Sequence, residues 1–395
     1  MSKVANMFDK PILFIDHATF IGGAEKSLIP IAKAVGSDNT VVTFGYSEFT
    51  QLLAHEQIKY TVPKGAASLA NIRRGDVLSL LLAVPRLIWV VVQICRMARN
   101  HSVVYANTYK GALVACLVRF FTMKRVVIHV RDIFDRNHFS AFNLMLVKFL
   151  FSWFPSAIVC NSLATRAALV ELKVSSKNMS VIYNGFEVPT ESSLDYATKQ
   201  SALPPSLRNK KVVFGIFSRV SEWKGQLDFI RAIAKFDVDA VGLLVVGGCQ
   251  KQDLEYLSAI NSYLKNESLD NVALTGHVEK VTELMSAVDI VVLPSREPEP
   301  FGRVVVEAMA LGKAVAGTNM GGVKEIIDEG VNGFLLEPCE NSYIAFIHKV
   351  MDNPGIASSV ASAAVQTAVS KFALNDRLQE LSDLLVQLGA ARPAK

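Results

Sequence analysis

The chain has 395 residues, 51% hydrophobic and 19% charged, with a mean hydropathy of +0.30; at about 150 residues per domain it holds two to three domains. That composition excludes a disordered chain and equally a multi-span membrane protein. The net charge is only +5, yet residues 1–195 hold 21 basic and 13 acidic residues against 20 and 23 in residues 196–395; the basic half suits a surface that meets phosphate or anionic lipid, or it reflects scatter in surface charge.

Met1–Lys10 carries Lys3, Asp9 and Lys10 and leads straight into Ile12–Ile15, which predicts a buried strand rather than the apolar segment of a secretory leader. Strands are expected at Ile12–Asp16, Thr40–Phe44, Ser102–Ala106, Arg125–His129 and Ala157–Asn161. Pro189–Lys211, rich in Ser, Pro and charge, reads as a linker. Beyond it strands are expected at Val212–Phe217, Gly242–Gly247, Val272–Thr275, Asp289–Pro294, Ala314–Thr318 and Gly333–Leu336. These runs are apolar on both faces and alternate with helical stretches, the pattern of α/β domains with doubly wound parallel sheets. The expected organisation is a Rossmann-like domain over 1–195, a second over 196–372, and a terminal segment 373–395 whose helix Asn375–Leu388 returns to the first domain.

Val77–Cys95 is the most apolar stretch, broken only by Ser79, Pro85, Arg86 and Gln93. A central arginine costs about 2.5–3.5 kcal/mol in a bilayer, and Pro85 interrupts the run, so it does not span. From Pro85 onward Arg86, Gln93, Arg96, Arg99 and Asn100 fall within an arc of roughly 140°, with Trp89 near it. That describes a peripheral membrane helix over Val77–Asn100, or a helix packed on the first sheet with its arginines outward. The five cysteines are dispersed and no CxxC occurs; they read as reduced thiols of a cytoplasmic protein, not as a zinc or disulfide framework.

The chemistry concentrates in the second half. Val212–Phe217 is followed by Ser218-Arg219-Val220, Trp223-Lys224-Gly225 and a helix from Gln226. Arg219 then stands at a strand's carboxyl end and Lys224 just before a helix N-terminus, where open α/β sheets bind anions. Two cations there suit a diphosphate that gains charge as it leaves, although an Arg and a Lys five residues apart are often a solvated pair. Asp289–Gly312 reads as a strand, a Pro-rich loop and a helix from near Phe301. Glu299 on the loop can accept from sugar hydroxyls and Glu307 on the helix from another diol such as a ribose. The Phe301–Val304 backbone N–H groups can cap a phosphate, with Gly302 permitting close approach. His129 closes a strand and is either a core histidine or an active-site group; the same alternatives hold for His17, His138 and His277.

Glu299-x7-Glu307, preceded by Pro294-Ser295 and the run Pro298-Glu299-Pro300-Phe301-Gly302, resembles the EX7E signature of retaining GT-B glycosyltransferases of family 4, the glycosyl transferases group 1. Gly22-Gly23-Ala24-Glu25, His129, Asn161-Ser162, Val181-Ile182-Tyr183-Asn184-Gly185, Gly276-His277-Val278, Gly321-Gly322…Glu325 and Asn332-Gly333-Phe334 match the family in order. The resemblance implies a GT-B architecture, two Rossmann-like domains facing across a cleft that closes about the linker. It assigns Glu307 to the ribose of a nucleotide sugar, Glu299 to hydroxyls of the transferred sugar, and Arg219 and Lys224 to the diphosphate. Gly276, His277 and Val278 would flank the base, Gly22 and Gly23 would approach donor phosphate and acceptor, and His129 would lie near the anomeric carbon. Phe301, Gly302 and Val304 join the donor site; Arg303 stands where the family often has an aliphatic residue, and its role is open. Asn107, Thr108, Lys110, Arg131 and Asp132 are expected at the acceptor, with Arg131-Asp132 meeting an acceptor phosphate or pairing on the surface.

The activity so implied is retaining transfer from a UDP- or GDP-sugar to a saccharide, lipid-linked or part of a growing polysaccharide, at the cytoplasmic face of a membrane. No metal is expected, because nothing resembles a DxD site, and no cofactor beyond the nucleotide-sugar substrate; nucleic acid is not an expected partner. The alternatives are a catalytically idle nucleotide-binding scaffold of the same fold, or a sucrose-type synthase or nucleotide-sugar epimerase. An NAD-linked oxidoreductase is disfavoured, since Gly247-Gly248 runs into Cys249-Gln250 without a third glycine.

Overall fold

Seven parallel strands, β1 (Ile12–Asp16), β2 (Thr40–Thr43), β3 (Tyr60–Thr61), β4 (Val103–Ala106), β5 (Arg125–Val130), β6 (Ala157–Cys160) and β7 (Met179–Val181), form one sheet in the order β3-β2-β1-β4-β5-β6-β7. Six more, β8 (Val212–Phe217), β9 (Val241–Val246), β10 (Val272–Gly276), β11 (Ile290–Leu293), β12 (Ala314–Thr318) and β13 (Phe334–Leu336), form a second parallel sheet in the order β10-β9-β8-β11-β12-β13. The computed structural model describes residues 11–36, 38–67, 77–187 and 196–389. Met1–Lys10, read above as preceding the first strand, lies outside them.

Counted from its own first strand, the second sheet runs 3-2-1-4-5-6 and the first runs the same with a seventh strand added beside the sixth; this is the doubly wound order in which the winding direction reverses between the first and fourth strands. The reversal falls between β1 and β4 in one sheet and between β8 and β11 in the other. In doubly wound sheets ligands bind in the crevice outside the carboxyl ends of such a strand pair, so the topology alone marks one candidate ligand position on each sheet.

Central strands are fully buried because helices cover both faces. Edge strands β3, β7 and β10 are less buried. Tyr60–Thr61 and Met179–Val181 are not among the strands expected from sequence: two or three half-exposed residues carry no hydrophobic pattern. They are strands because the neighbouring backbone pairs with them.

The chain divides into Met1–Gly185 with Leu374–Lys395, and Phe186–Ala373. In the first unit, helices Val77–Ala98, Tyr109–Thr122 and Ala141–Trp153 bury their inner faces in one core. Gly23–Val35, Glu48–His55 and Leu374–Gln387 bury theirs in the core on the sheet's other side, where Leu381 and Leu385 meet Phe14, Leu28 and Val127. In the second unit Gln226–Ile233 and Glu340–Asp352 cover one side, and Arg303–Ala310 packs with Ile356–Phe372.

Two readings are corrected. The segment read as linker is partly folded: helix Tyr196–Ala202 and the turn Pro205–Leu207 lie within it, and Leu203 and Leu207 are buried. Residues 189–195 of that segment lie outside the described part. Pro85 does not break its helix, which is continuous over Val77–Ala98. A proline removes one i→i−4 bond, and burial of Val90, Val91, Ile94 and Ala98 outweighs that loss. The helix presents Arg86, Ile88, Trp89 and Arg96 to solvent, and Arg99 is exposed in the turn after it; of the side chains of 77–83 nothing is described. Among the described residues no helix is long and apolar enough to cross a membrane.

Candidate functional site

The crevice of the second sheet is built by the loops after β8 and β11. They are stapled together at Gly225, whose φ of +69° and position leave no room for a side chain: a Cβ would stand 1.9 Å from the Pro294 carbonyl oxygen. Arg296 adds a backbone bond to the Trp223 carbonyl (2.8 Å), a two-pronged pair with Asp228 (2.5 and 2.7 Å) and one contact to Glu222 (2.9 Å). Asp228 pushes the Arg296 guanidinium pKa further up, so this arginine is committed to holding the two loops.

That staple brings Lys224 to Glu299. Lys224 Nζ donates to Glu299 Oε1 at 2.6 Å, and Ser295 Oγ donates to the same oxygen at 2.5 Å. Lys224 Nζ also lies 3.9 Å from the Trp223 ring centroid. Both bonds fall on Oε1 of the buried Glu299, so Oε2 keeps its acceptor capacity. The backbone at Glu299 is held by the Gly321-Gly322 turn: Gly322 N–H donates to the Glu299 carbonyl at 2.8 Å, and a Cβ at Gly321 (φ +57°) would stand 2.3 Å from that oxygen. Arg219, half-buried on the β8 loop, has a buried Nε with no hydrogen-bond partner among the described residues. A buried donor left open costs about 1–3 kcal/mol, which an anion entering this crevice would remove.

Glu307, on helix Arg303–Ala310, accepts from Arg303 Nε at 2.7 Å, and the Arg303 guanidinium lies 4.7 Å from the Phe186 ring centroid. Arg303 therefore orients the Glu307 carboxylate. The helix begins at Arg303 behind Gly302 (φ +96°), not near Phe301. Phe301 stands before it as a packing residue, buried between Phe186 and Phe372 at centroid distances of 6.1 and 5.6 Å. The first turn opens with Arg303 and Val304, while Val305 N–H already bonds to Gly302. At the end of β10, Gly276 and His277 are exposed and Val278 is half-buried; the Gly276 carbonyl accepts from Gly247 N–H at 2.9 Å.

The first unit fills the equivalent crevice differently. Asp16 ends β1 and Asn107 follows β4; Asn107 Nδ2 donates to Asp16 Oδ2 at 2.7 Å and Ala18 N–H donates to Oδ1 at 2.9 Å. Arg131 Nε donates to Asn107 Oδ1 (2.8 Å) and its Nη1 to Asn184 Oδ1 (2.5 Å). Arg131 Nη2 lies 3.2 Å and Tyr105 OH 2.5 Å from His129 Nδ1. A guanidinium only donates, so Nδ1 carries the lone pair and the His129 proton is on Nε2. Burial, then the charge of Arg131, holds the imidazole well below its usual pKa. His129 is therefore a neutral donor, and its buried Nε2 has no partner among the described residues.

Glu25 Oε2 accepts from Gly22 N–H at 2.8 Å, which ties the Gly22-Gly23 loop to helix Gly23–Val35. Burial, then the charge of Asp16, pushes the Glu25 carboxyl up to about 8. Burial also raises Asp16, against the hydrogen bonds from Asn107 and Ala18. Thr108 Oγ1 lies 2.8 Å from His17 Nδ1. Thr108, His129, Arg131 and Asp132 line one small concavity, and Lys110 is half-buried in the first turn of Tyr109–Thr122.

The structure thus joins Lys224 to Glu299, Arg303 to Glu307, and Arg131 to both Asn107 and His129. The sequence reading assigned no role to Asp16, Tyr105 or Ser295. Asp16 had a signal, an acid closing the otherwise apolar strand Ile12–Asp16, and Ser295 had one in its place beside the Glu299-x7-Glu307 run; Tyr105 had none. Among the described residues no group of three or more His, Cys, Asp and Glu side chains is placed to hold a metal ion.

Residues 21–188 match the family description Glycosyltransferase Family 4, and residues 200–367 match Glycosyl transferases group 1. The Anabaena protein HepE in complex with UDP is 30% identical, superposes with a TM-score of 0.84 and covers 95% of this chain and 100% of its own. Its complex with UDP-glucose superposes with a TM-score of 0.86 at 29% identity, covering 96% and 100%. N-acetyl-alpha-D-glucosaminyl L-malate synthase of Bacillus anthracis is 31% identical over 180 residues, 44% of each chain. Lipopolysaccharide 1,2-N-acetylglucosaminetransferase of Salmonella typhimurium is 26% identical over 185 residues, 45% of this chain and 48% of its own. The match thus spans about half the length of these curated relatives.

Proposed function

This chain belongs to glycosyltransferase family 4, and on that premise we propose that it moves a sugar from a nucleotide-diphospho-sugar to a saccharide acceptor with retention of anomeric configuration. The observation that carries the reading is the Lys224–Glu299 pair at the crevice of the second sheet, with Arg219 on the same loop. Arg219 and Lys224 bind the diphosphate and stabilise the charge it gains as its bond to the anomeric carbon breaks. Glu299 accepts from hydroxyls of the transferred sugar, and Glu307, oriented by Arg303, accepts from the ribose. The acceptor hydroxyl forms its bond to the anomeric carbon on the face the diphosphate leaves, and its proton passes to the leaving phosphate oxygen. Products are the glycoside and the nucleoside diphosphate. No metal enters this scheme, since the cations and helix N-termini meet the phosphate charge.

The HepE complexes with UDP and UDP-glucose support a uridine donor over a guanosine one. His129 Nε2–H then donates to an outer hydroxyl of the donor sugar, and Asn107, Thr108, Lys110, Arg131 and Asp132 lie toward the acceptor. The lipopolysaccharide-modifying relative and the basic first half support a lipid-linked acceptor on the cytoplasmic face of a membrane, with Val77–Asn100 in contact with it.

A thermal-shift panel with UDP, GDP and ADP tests the donor. Ligand at 100 times Kd stabilises a fold by about 2.7 kcal/mol, so UDP is expected to raise the unfolding midpoint and the other two to leave it near its starting value. A shift with GDP alone reassigns the base. No shift with any nucleotide overturns the nucleotide-sugar reading.

A further inference from the structure

One side of the first unit carries more apolar surface than its core uses. Helices Val77–Ala98, Tyr109–Thr122 and Ala141–Trp153 lie side by side there. Ala141–Trp153 turns Leu144, Val147, Leu150 and Phe151 inward. Its opposite side shows Phe142, Met145, Phe149 and Trp153 to solvent, with 46%, 60%, 57% and 76% of each exposed. Spaced by three, four and four residues, these form a second apolar stripe on a helix that already has one. Phe120 and Phe121, exposed at the end of the middle helix, continue it: the rings of Phe121, Phe120, Phe154 and Phe149 follow one another at centroid distances of 5.1, 6.2 and 6.4 Å. Ile88 and Trp89 are exposed on the flanking helix. Contiguous aromatic surface of this kind marks an interaction site.

The charge on these three helices has one sign, and the acids Asp132 and Asp135 lie in the loop before Ala141–Trp153. From Val77 to Arg131 the chain has eight Lys and Arg and no Asp or Glu, and helix Ala141–Trp153 has Lys148 as its only charged residue. Pairing this face with a second copy of itself would set cations against cations. A surface of phosphate headgroups above acyl chains matches both features: aromatic and methionine side chains enter the interface while Arg and Lys stay among the headgroups.

We propose that the outer face of these three helices, centred on Phe120, Phe121, Phe149 and Trp153, docks the protein on an anionic lipid bilayer. This deepens the membrane-borne acceptor reading on which it rests, and moves the centre of contact from Val77–Asn100 to the aromatic row beside it.

The experiment is sedimentation of the full chain with vesicles of phosphatidylcholine alone and with about 30% phosphatidylglycerol, at about 0.1 M and about 0.5 M salt, across which screening shortens severalfold. Wild type is expected to sediment with the anionic vesicles and to lose much of that binding at high salt. Phe149→Glu with Trp153→Glu, and separately Phe120→Glu with Phe121→Glu, are expected to weaken it more than tenfold. Because those side chains already face solvent, both variants keep the wild-type unfolding midpoint and the wild-type shift with UDP. Wild type that stays in solution overturns the proposal, as do folded variants that still sediment. A wild-type dimer that ignores lipid and that either variant converts to monomer also overturns it, assigning the face to a second copy. Vesicle binding without any nucleotide shift sinks the donor reading and leaves this one standing.

Discussion

The two sheets share a strand order and a reversal point, yet fill the crevice there with opposite chemistry. After β8 and β11 the second unit sets cations at the crevice: Arg219 keeps a guanidinium nitrogen without a hydrogen-bond partner among the described residues, and Lys224 shares a carboxylate oxygen with Ser295. After β1 and β4 the first unit packs Asp16, Asn107, Arg131, His129 and Tyr105 into one buried hydrogen-bonded network where burial favours neutral forms. Topology supplies the place and side chains supply the chemistry. The second unit sets cationic side chains at its sheet's carboxyl end, and the first holds donors and acceptors in fixed orientation.

Substitutions on each side sharpen that contrast. The largest effect is expected from Lys224→Ala, which removes a cation from the leaving diphosphate: kcat/KM for sugar transfer falls about 100- to 1000-fold, the size seen when one transition-state donor is deleted. A loss under about tenfold would place the diphosphate elsewhere. Next, Glu307→Ala deletes hydrogen bonds of about 1.5–3 kcal/mol from a charged acceptor, so calorimetric titration is expected to show UDP binding about 10- to 100-fold weaker. Unchanged affinity would leave Glu307 as a partner of Arg303 alone.

An effect of another kind, on stability rather than on transfer, belongs to the first unit and separates its chemistry from that of the second. Glu25 keeps its proton in the folded state to about pH 8, against 4.5 as its ordinary value. Stability from the protonated form is complete below 4.5 and is lost as pH rises through about 8. The wild-type unfolding midpoint is thus expected to drop across that window, and Glu25→Gln to flatten the slope without raising the midpoint at low pH. An unchanged slope would assign the pH dependence to other groups.

Much of the fold was legible because a parallel strand buried on both faces must be apolar throughout. Ile12–Asp16, Val212–Phe217 and Ala314–Thr318 have the same limits in the sequence and in the structure. Edge strands Tyr60–Thr61 and Met179–Val181 were illegible, since pairing with a neighbour defines them. The helix start at Arg303 was misread by two residues because Gly302, the glycine taken for ligand approach, also serves as the N-cap in a left-handed conformation. The aromatic stripe of Ala141–Trp153 escaped notice because a helix apolar all round has no periodicity to separate its inner from its outer face.

By itself the sequence determined the fold class, the family and the positions of Arg219, Lys224, Glu299 and Glu307, because short-range order along a strand and the loop after it is enough to place them at a sheet's carboxyl edge. Only the tertiary structure decided which side chains meet from afar: that Lys224 reaches Glu299 across 75 residues, and that Asn107 and Asn184 converge on Arg131 beside His129. Partners brought together from distant loops depend on how strands stack into a sheet, and no local pattern along the chain encodes that distance.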